Sequence, residues 1–180
     1  MKILEKVAAF CQREALFADG DKLLVACSGG PDSLALLDML AKLATAHHLQ
    51  LLVCYIHHGI RKAADAEVGR VRQEASRRHC AFVCCCSDVP AIAAREHRSL
   101  EAVGREERYR LLRQEAQKWQ ARAIAVAHHR NDQAETVLLH VLRGSGLSGL
   151  KGMRPKSGDI IRPLLDLTRQ EIDEYIEKQQ

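Results

Sequence analysis

No Gly-Lys-Ser or Gly-Lys-Thr occurs in this chain, and no lysine lies between positions 23 and 41. A Walker-type phosphate loop, which reaches its phosphates with a lysine, is therefore excluded. No Cys-x-x-Cys occurs either, so the usual ligand spacing for zinc or an iron–sulfur cluster is missing. The seven cysteines are odd in number, and Cys84, Cys85 and Cys86 are consecutive. In a strand their side chains point alternately to opposite faces and make a poor ligand set. They read as reduced, mostly buried thiols. No apolar run approaches the roughly 18 residues of a membrane span. Residues 1–20 carry Lys2, Glu5, Lys6, Arg13, Glu14 and Asp19, unlike a signal peptide. The expectation is a cytoplasmic protein with no membrane partner.

What is present suits a globular chain. The 180 residues are 47% hydrophobic, enough for one domain with a well-covered core. The net charge is +4, with the basic excess in the middle third. That excess permits an RNA partner through phosphate contacts, although a solvated helix surface looks the same.

Hydrophobic periodicity predicts a leading helix over 2–17, with Ile3, Leu4, Val7, Ala8 and Phe10 at helical spacing. A strand at 23–26 runs into a helix from Pro31 to about Ala46 that is apolar almost all round. A second strand (51–56), a charged helix (63–78) and a third strand (81–86) follow. Residues 88–98 read as irregular. A long helix spans 100–119, a fourth strand 123–127 and a further helix 131–142. This alternation predicts an α/β fold with a parallel sheet and right-handed crossovers, whose ligands sit at the carboxyl ends of strands. Gly144, Gly146, Gly149 and Gly152 make 143–152 a loop, either a flexible linker or an ordered active-site loop. A last helix runs over 167–180, with Thr168 as N-cap and Glu171 completing a capping box. Domain division is expected at residue 150: a catalytic unit over 1–150, then the start of an extension over 151–180. The chain stops inside that helix, as a truncated protein, a fragment or an N-terminal module would.

The segment Ser28-Gly29-Gly30-Pro31-Asp32-Ser33 carries the chemistry. Gly29 and Gly30 allow a sharp turn and close backbone approach. Pro31 suits a first helical turn, where its missing N–H costs nothing. Free amides at that helix end and the hydroxyls of Ser28 and Ser33 converge on a spot that favours a phosphate. Asp32 beside a phosphate implies capping or a shared Mg²⁺. An ordinary serine-capped turn is the alternative.

Two more clusters follow strands: His57-His58-Gly59-Ile60-Arg61 and His128-His129-Arg130-Asn131-Asp132. Asp132 and Glu135 are three apart on a first helical turn, hence on one face, where they either grip a cation (Mg²⁺ or an ammonium) or cap the helix. Arg105 and Arg108 stand near Glu101 and read equally as surface ion pairs. Lys151, Arg154 and Lys156 read as an RNA phosphate patch or a solvated loop.

Residues 28–33 resemble the SGGxDS motif of the PP-loop ATP pyrophosphatases, which cleave ATP between its α and β phosphates. The stretch from Ala127 to Thr136 and the stretch from Leu142 to Leu150 resemble the tRNA(Ile)-lysidine synthetase pattern. His58-Gly59-Ile60-Arg61, Glu101 to Tyr109 and Arg162-Pro163-Leu164-Leu165 resemble that family's other blocks, in order.

The resemblance implies an adenine nucleotide alpha hydrolase-like, Rossmann-like domain of three α/β/α layers. The implied enzyme is a ligase that forms a carbon–nitrogen bond, with ATP and Mg²⁺ as cofactors and free L-lysine and tRNA(Ile) with a CAU anticodon as partners. ATP would bind at Ser28, Gly29, Gly30, Pro31, Asp32 and Ser33, with His58 beside it, and Asp32 would hold the metal. His128 would position the nucleotide, and Asp132 and Glu135 would meet the lysine ammonium or the metal. Arg105 and Arg143 would neutralise phosphate charge, with Gly144, Gly146 and Lys151 toward substrate or tRNA. Where relatives carry Asp or Asn, this chain has His57. A homodimer stays open. The competing readings are a tRNA thiolase of the same superfamily and a non-catalytic ATP-binding fragment.

Overall fold

The computed structural model describes residues 2–59, 64–142 and 152–179. At its centre the apolar run of β1 (Lys22–Ala26) lies between β2 (Gln50–His57) and β4 (Ala123–Ala125), parallel to both. β3 (Ala81–Cys86) extends the sheet beyond β2, and β6 (Ile160–Ile161) and β5 (Lys156–Ser157) extend it beyond β4. The order is β3-β2-β1-β4-β6-β5, with only β5 antiparallel to its neighbour. The helices are α1 (Ile3–Arg13), α2 (Pro31–His47), α3 (Ala64–Arg77), α4 (Val89–Glu96), α5 (Leu100–Trp119), α6 (Arg130–Leu142) and α7 (Arg169–Glu177).

Strand alternation divides the core. Leu23, Val25, Leu51, Val53, Ala123, Ala125 and Ile161 face a layer in which α1, α2, α3 and α7 bury Val7, Leu36, Val71 and Ile172. Leu24, Leu52, Cys54, Ile124 and Ile160 face α5 through Leu112 and Ala116. These are the three layers expected from the sequence. The cysteines of β3 obey the same alternation: Cys84 packs with the first cluster and Cys85 with the second. All seven cysteines are free thiols, with Cys11, Cys27 and Cys54 buried and Cys86 exposed.

Several elements differ from the sequence reading. Residues 89–96 are helical, not irregular. Asp88 accepts the Ala91 N–H at 3.0 Å, Pro90 sits in the first turn, and Val89 and Ala93 are buried against Val103. Two apolar anchors suffice for so short a helix, too few to register as a period. The first helix ends early because Ala15 takes a left-handed φ of 47°, which turns the chain back so that the Leu16 amide donates to Cys11 O. The fourth strand stops at Ala125, although the Val126 amide still donates to Ile161 O at 3.0 Å. The segment after residue 150 adds β5 and β6 to the same sheet and lays α7 on α2.

This topology places the site. The chain leaves β1 toward β2 on one side and returns to β4 on the other, with α2 and α5 on opposite faces. A crevice therefore opens between the carboxyl ends of β1 and β4, where such sheets bind ligands.

Candidate active site

The turn from β1 into α2 is built as a cradle. Gly29 has φ +83°, and a Cβ there would stand 3.2 Å from Val71 Cγ2. The positive φ favours glycine, and a Cβ there would oblige the Val71 side chain to give way. Gly30 is the N-cap of α2 and supplies no side-chain cap, and Pro31 follows it. The remaining amides of that first turn have no partner within the helix. Ser33 donates its hydroxyl to Gly30 O at 2.8 Å, and Ser28 Oγ lies 3.3 Å from Ser33 Oγ. The two hydroxyls lie side by side at the mouth of the turn.

A cavity of about 350 Å³ opens beside this turn, within the size range of small-molecule sites. Ser28, Gly30, Asp32, Ser33, His58 and His128 line its polar side, and Ile56, Tyr109, Leu112 and Val126 its apolar side. One end suits a polyphosphate and the other a flat base. Tyr55 donates its hydroxyl to Glu67 at 2.9 Å on the rim. Cys27 and Cys54 also line the cavity, with thiols pushed up by burial and so protonated.

Asp32 has two dissimilar oxygens. Oδ2 accepts from Arg169 Nη1 at 2.9 Å, while Oδ1 is buried without a hydrogen-bond partner. A buried carboxylate oxygen left unpaired costs free energy. It is a donor atom suited to a hard cation such as Mg²⁺, which takes one or two carboxylates and completes its shell with phosphate and water oxygens.

His128 and His129 are neighbours with different surroundings. His128 Nδ1 accepts from Arg162 Nε at 3.3 Å. Burial lowers its pKa, and the positive charge of Arg162 lowers it further. His129 is buried, with Nε2 3.9 Å from Asp32 Oδ2 and Nδ1 3.6 Å from Asp132 Oδ2. It stands between the two acids. His58 is pushed down by burial and then by Arg108, and its Nδ1 is buried without a partner.

Other predicted residues lie elsewhere. Asp132 accepts the His129 amide at 2.9 Å, which is a capping role, and half-buried Asp132 lies one turn from exposed Glu135 on α6. Arg105 is not in the cavity. It lines a neighbouring groove of about 410 Å³ with Arg113 and Arg162, its guanidinium 5.7 Å from the Tyr109 ring centre. Tyr109 borders both spaces. Among the described residues neither Arg105 nor Arg108 pairs with Glu101. Arg61, Arg143, Gly144, Gly146 and Lys151 lie outside the described residues. Farther along the chain, Gln133 Nε2 donates to Met153 O at 2.9 Å, and the Met153 amide donates to Gln133 Oε1. That clamp ties α6 to the return of the chain.

Sequence reasoning missed Arg169, and named His129 and Arg162 only within longer blocks, with no role of their own. Each acts across a long span or beside a stronger candidate, and none sits in a spacing that marks a ligand.

A family model described as the PP-loop domain matches residues 2–180. The chain belongs to that family. The turn from Ser28 to Ser33 lies within that match, and the fold is adenine nucleotide alpha hydrolase-like. The chain is 41% identical over 178 residues to the tRNA(Ile)-lysidine synthase of Geobacter sulfurreducens, covering 97% of this chain and 38% of that protein. It is 37% identical over 175 residues to the tRNA(Ile)-lysidine synthase of Clostridium perfringens, covering 96% of this chain and 37% of that protein. The PP-loop chain thus spans less than two fifths of the length of these relatives.

Two solved structures share the fold. The U34-tRNA thiolase NcsA from Methanococcus maripaludis superposes with a TM-score of 0.75 at 16% identity, covering 96% of this chain and 64% of that one. The NH3-dependent NAD synthetase from Campylobacter jejuni superposes with a TM-score of 0.65 at 16% identity, covering 99% and 72%. No helix among the described residues is long and apolar enough to cross a membrane.

Proposed function

We propose that this chain is the ATP-using part of a tRNA(Ile)-lysidine synthase acting in the cytoplasm. The observation that carries the reading is the 41% identity that runs across 97% of the chain, PP-loop and α6 block included. The cavity geometry fits it. ATP lies with its phosphates at Ser28, Gly30 and Ser33 and the first-turn amides of α2, and its base against Ile56, Leu112 and Val126. Gly29 and Pro31 shape the turn. His58 and His128 meet the nucleotide.

The C2 carbonyl oxygen of the wobble cytidine, in a tRNA(Ile) with a CAU anticodon, attacks the α-phosphorus. The bond to the bridging oxygen breaks and pyrophosphate leaves. The ε-amine of free L-lysine, having lost a proton, adds to C2, and AMP departs with the C2 oxygen. Asp132 and Glu135 attract the lysine ammonium, while Arg143, and Arg105 from the neighbouring groove, offset phosphate charge. Gly144, Gly146 and Lys151 would act toward substrate or tRNA. Asp32 Oδ1 would hold Mg²⁺, which supplies positive charge to the polyphosphate when bound. The thiolase alternative asks for a nucleophilic sulfur, and the cavity thiols of Cys27 and Cys54 are held protonated by burial.

The test joins the chain to the C-terminal part of the Geobacter sulfurreducens relative. Labelled lysine should enter unmodified tRNA(Ile) with one pyrophosphate released per lysine. ATP binding without lysine incorporation in that fusion would leave only a nucleotide-binding module, and the reading fails.

A further inference from the structure

We infer that Arg162 is a positioning residue that holds His128 as the neutral imidazole protonated on Nε2, so that His128 meets the nucleotide as a hydrogen-bond donor. The nucleotide step rests on the proposed function; the tautomer does not.

Arg162 follows β6 directly and is pinned on several sides. Its amide donates to Pro155 O at 2.9 Å, its carbonyl accepts the Leu165 amide at 3.2 Å, and Nη1 donates to Arg154 O at 2.8 Å. The guanidinium is thereby aimed, and Nε meets His128 Nδ1 at 3.3 Å. Two arginines of α5 pair with carboxylates, Arg113 with Asp159 and Arg110 with Glu107. Among the described residues, the Arg162 guanidinium donates only to the Arg154 carbonyl and to this imidazole.

A guanidinium is charged at any ordinary pH and has donors but no acceptor. The ring nitrogen facing it must therefore present a lone pair. A protonated imidazole would bring N–H against N–H and charge against like charge. A neutral imidazole that accepts at Nδ1 carries its proton on Nε2. Since the ring lines the cavity with Ser28 and Ser33, the polar atom left for a ligand is an N–H, which phosphate oxygens accept. The charged groups that act on the ring agree in sum. Arg162 beyond β6 and Arg105 and Arg108 of α5 disfavour its protonation, and Asp132 of α6 opposes them.

The experiment uses the 180-residue chain labelled with ¹⁵N-histidine. Long-range ¹H–¹⁵N spectra give the tautomer and titration of each imidazole, and the His128 signals are those lost in His128→Gln. At pH 7 the wild-type ring should show an unprotonated Nδ1 and a protonated Nε2. Arg162→Met removes donor and charge, and should give mixed tautomers and a titration midpoint higher by about one pH unit, the scale of a lost like-charge neighbour. Arg162→Gln keeps an N–H donor without the charge, and should keep the tautomer while raising the midpoint. Binding of a non-hydrolysable ATP analogue should weaken about fivefold in Arg162→Met, the scale of one misdirected hydrogen bond.

Wild-type His128 protonated on Nδ1, or charged at pH 7, overturns the inference without any variant. So does an unchanged midpoint in Arg162→Gln, which decides the matter if Arg162→Met does not melt cooperatively. A disturbed tautomer with unchanged analogue affinity overturns the donor role. No binding of the analogue by the wild type, with the tautomer as stated, counts against the proposed function instead.

Discussion

Arg169 and Asp32, 137 positions apart in the chain, meet with Nη1 2.9 Å from Oδ2. Arg169 opens α7 and also grips Asp173 through Nε at 3.0 Å. Its amide donates to Asn131 Oδ1, and Arg130 pairs with Asp166. The start of α7 is thus tied to the start of α6 and to the PP-loop carboxylate at once. A guanidinium at one oxygen of Asp32 competes for the same negative charge as a divalent cation at the other.

Replacing Arg169 by Met should therefore tighten divalent-cation binding. The pair is partly exposed, with Arg169 43% accessible, so its strength is that of a surface ion pair, at most about 1 kcal/mol. Mn²⁺ affinity read by electron paramagnetic resonance should rise by no more than about fivefold. Weaker Mn²⁺ binding in a folded variant would mean that Arg169 orients Asp32 rather than competing at it.

Asp32→Asn should leave the fold intact and remove metal-dependent nucleotide binding. The amide keeps the volume and can still accept from Arg169, so the thermal midpoint should move little. Isothermal titration with an ATP analogue, with and without Mg²⁺, should show the metal dependence vanish. If Mg²⁺ still enhances binding by the wild-type factor, Asp32 is not the metal ligand.

Gly29→Ala should destabilise the chain by about 1–2 kcal/mol, the cost of a left-handed conformation for an L-residue. Steric pressure on Val71 Cγ2 at 3.2 Å adds to it. Urea unfolding measures this loss, whereas Gly20→Ala, at φ +83° but with open space around its Cβ, isolates the backbone part. Equal losses at both positions would remove the contact with α3 from the explanation.

Asp38 ties three helices together. It accepts from Tyr175 at 2.6 Å and from Arg78 Nε at 3.0 Å, and Lys42 lies 2.8 Å away. Burial alone would raise its pKa, but the bonds from Lys42 and Tyr175 and the charge of Arg78 outweigh it and leave the carboxyl low. A carboxyl that is low in the fold stabilises above its unfolded value of 3.8, and that contribution disappears as pH falls through the folded value. Asp38→Asn should cost about 2 kcal/mol at pH 7, with the gap to wild type closing below about pH 4. Glu107, held to about 2 by the bond from Arg110 against a smaller effect of burial, should lose its contribution only at still lower pH. Urea melts at pH 7 and pH 3 read the Asp38 contribution; an unchanged gap for Asp38→Asn would rule out the ionised network.

Much of the fold was legible because its signals are local. The apolar run at β1, the Pro31 start of α2 and the Thr168–Glu171 capping box each act within a few residues, and the box is present in the structure with both hydrogen bonds. The two-residue strands β5 and β6 were not legible. Strands so short have no period, and they exist because Ile160 and Ile161 find β4 already in place. The helix at 89–96 escaped for the same reason, its two apolar anchors answering to Val103 on α5.

The sequence by itself determined the chemistry of the PP-loop: a glycine, Gly29, where φ is positive, hydroxyls at both ends and a carboxylate at the start of a helix. Those are properties of neighbouring residues, and the chain cannot turn there in many other ways. Only the tertiary structure decided which charges face one another. Arg169 on Asp32, Arg162 on His128 and His129 beside Asp32 all join segments that come together when the sheet closes, because electrostatic partners are chosen by distance in space and not by distance along the chain.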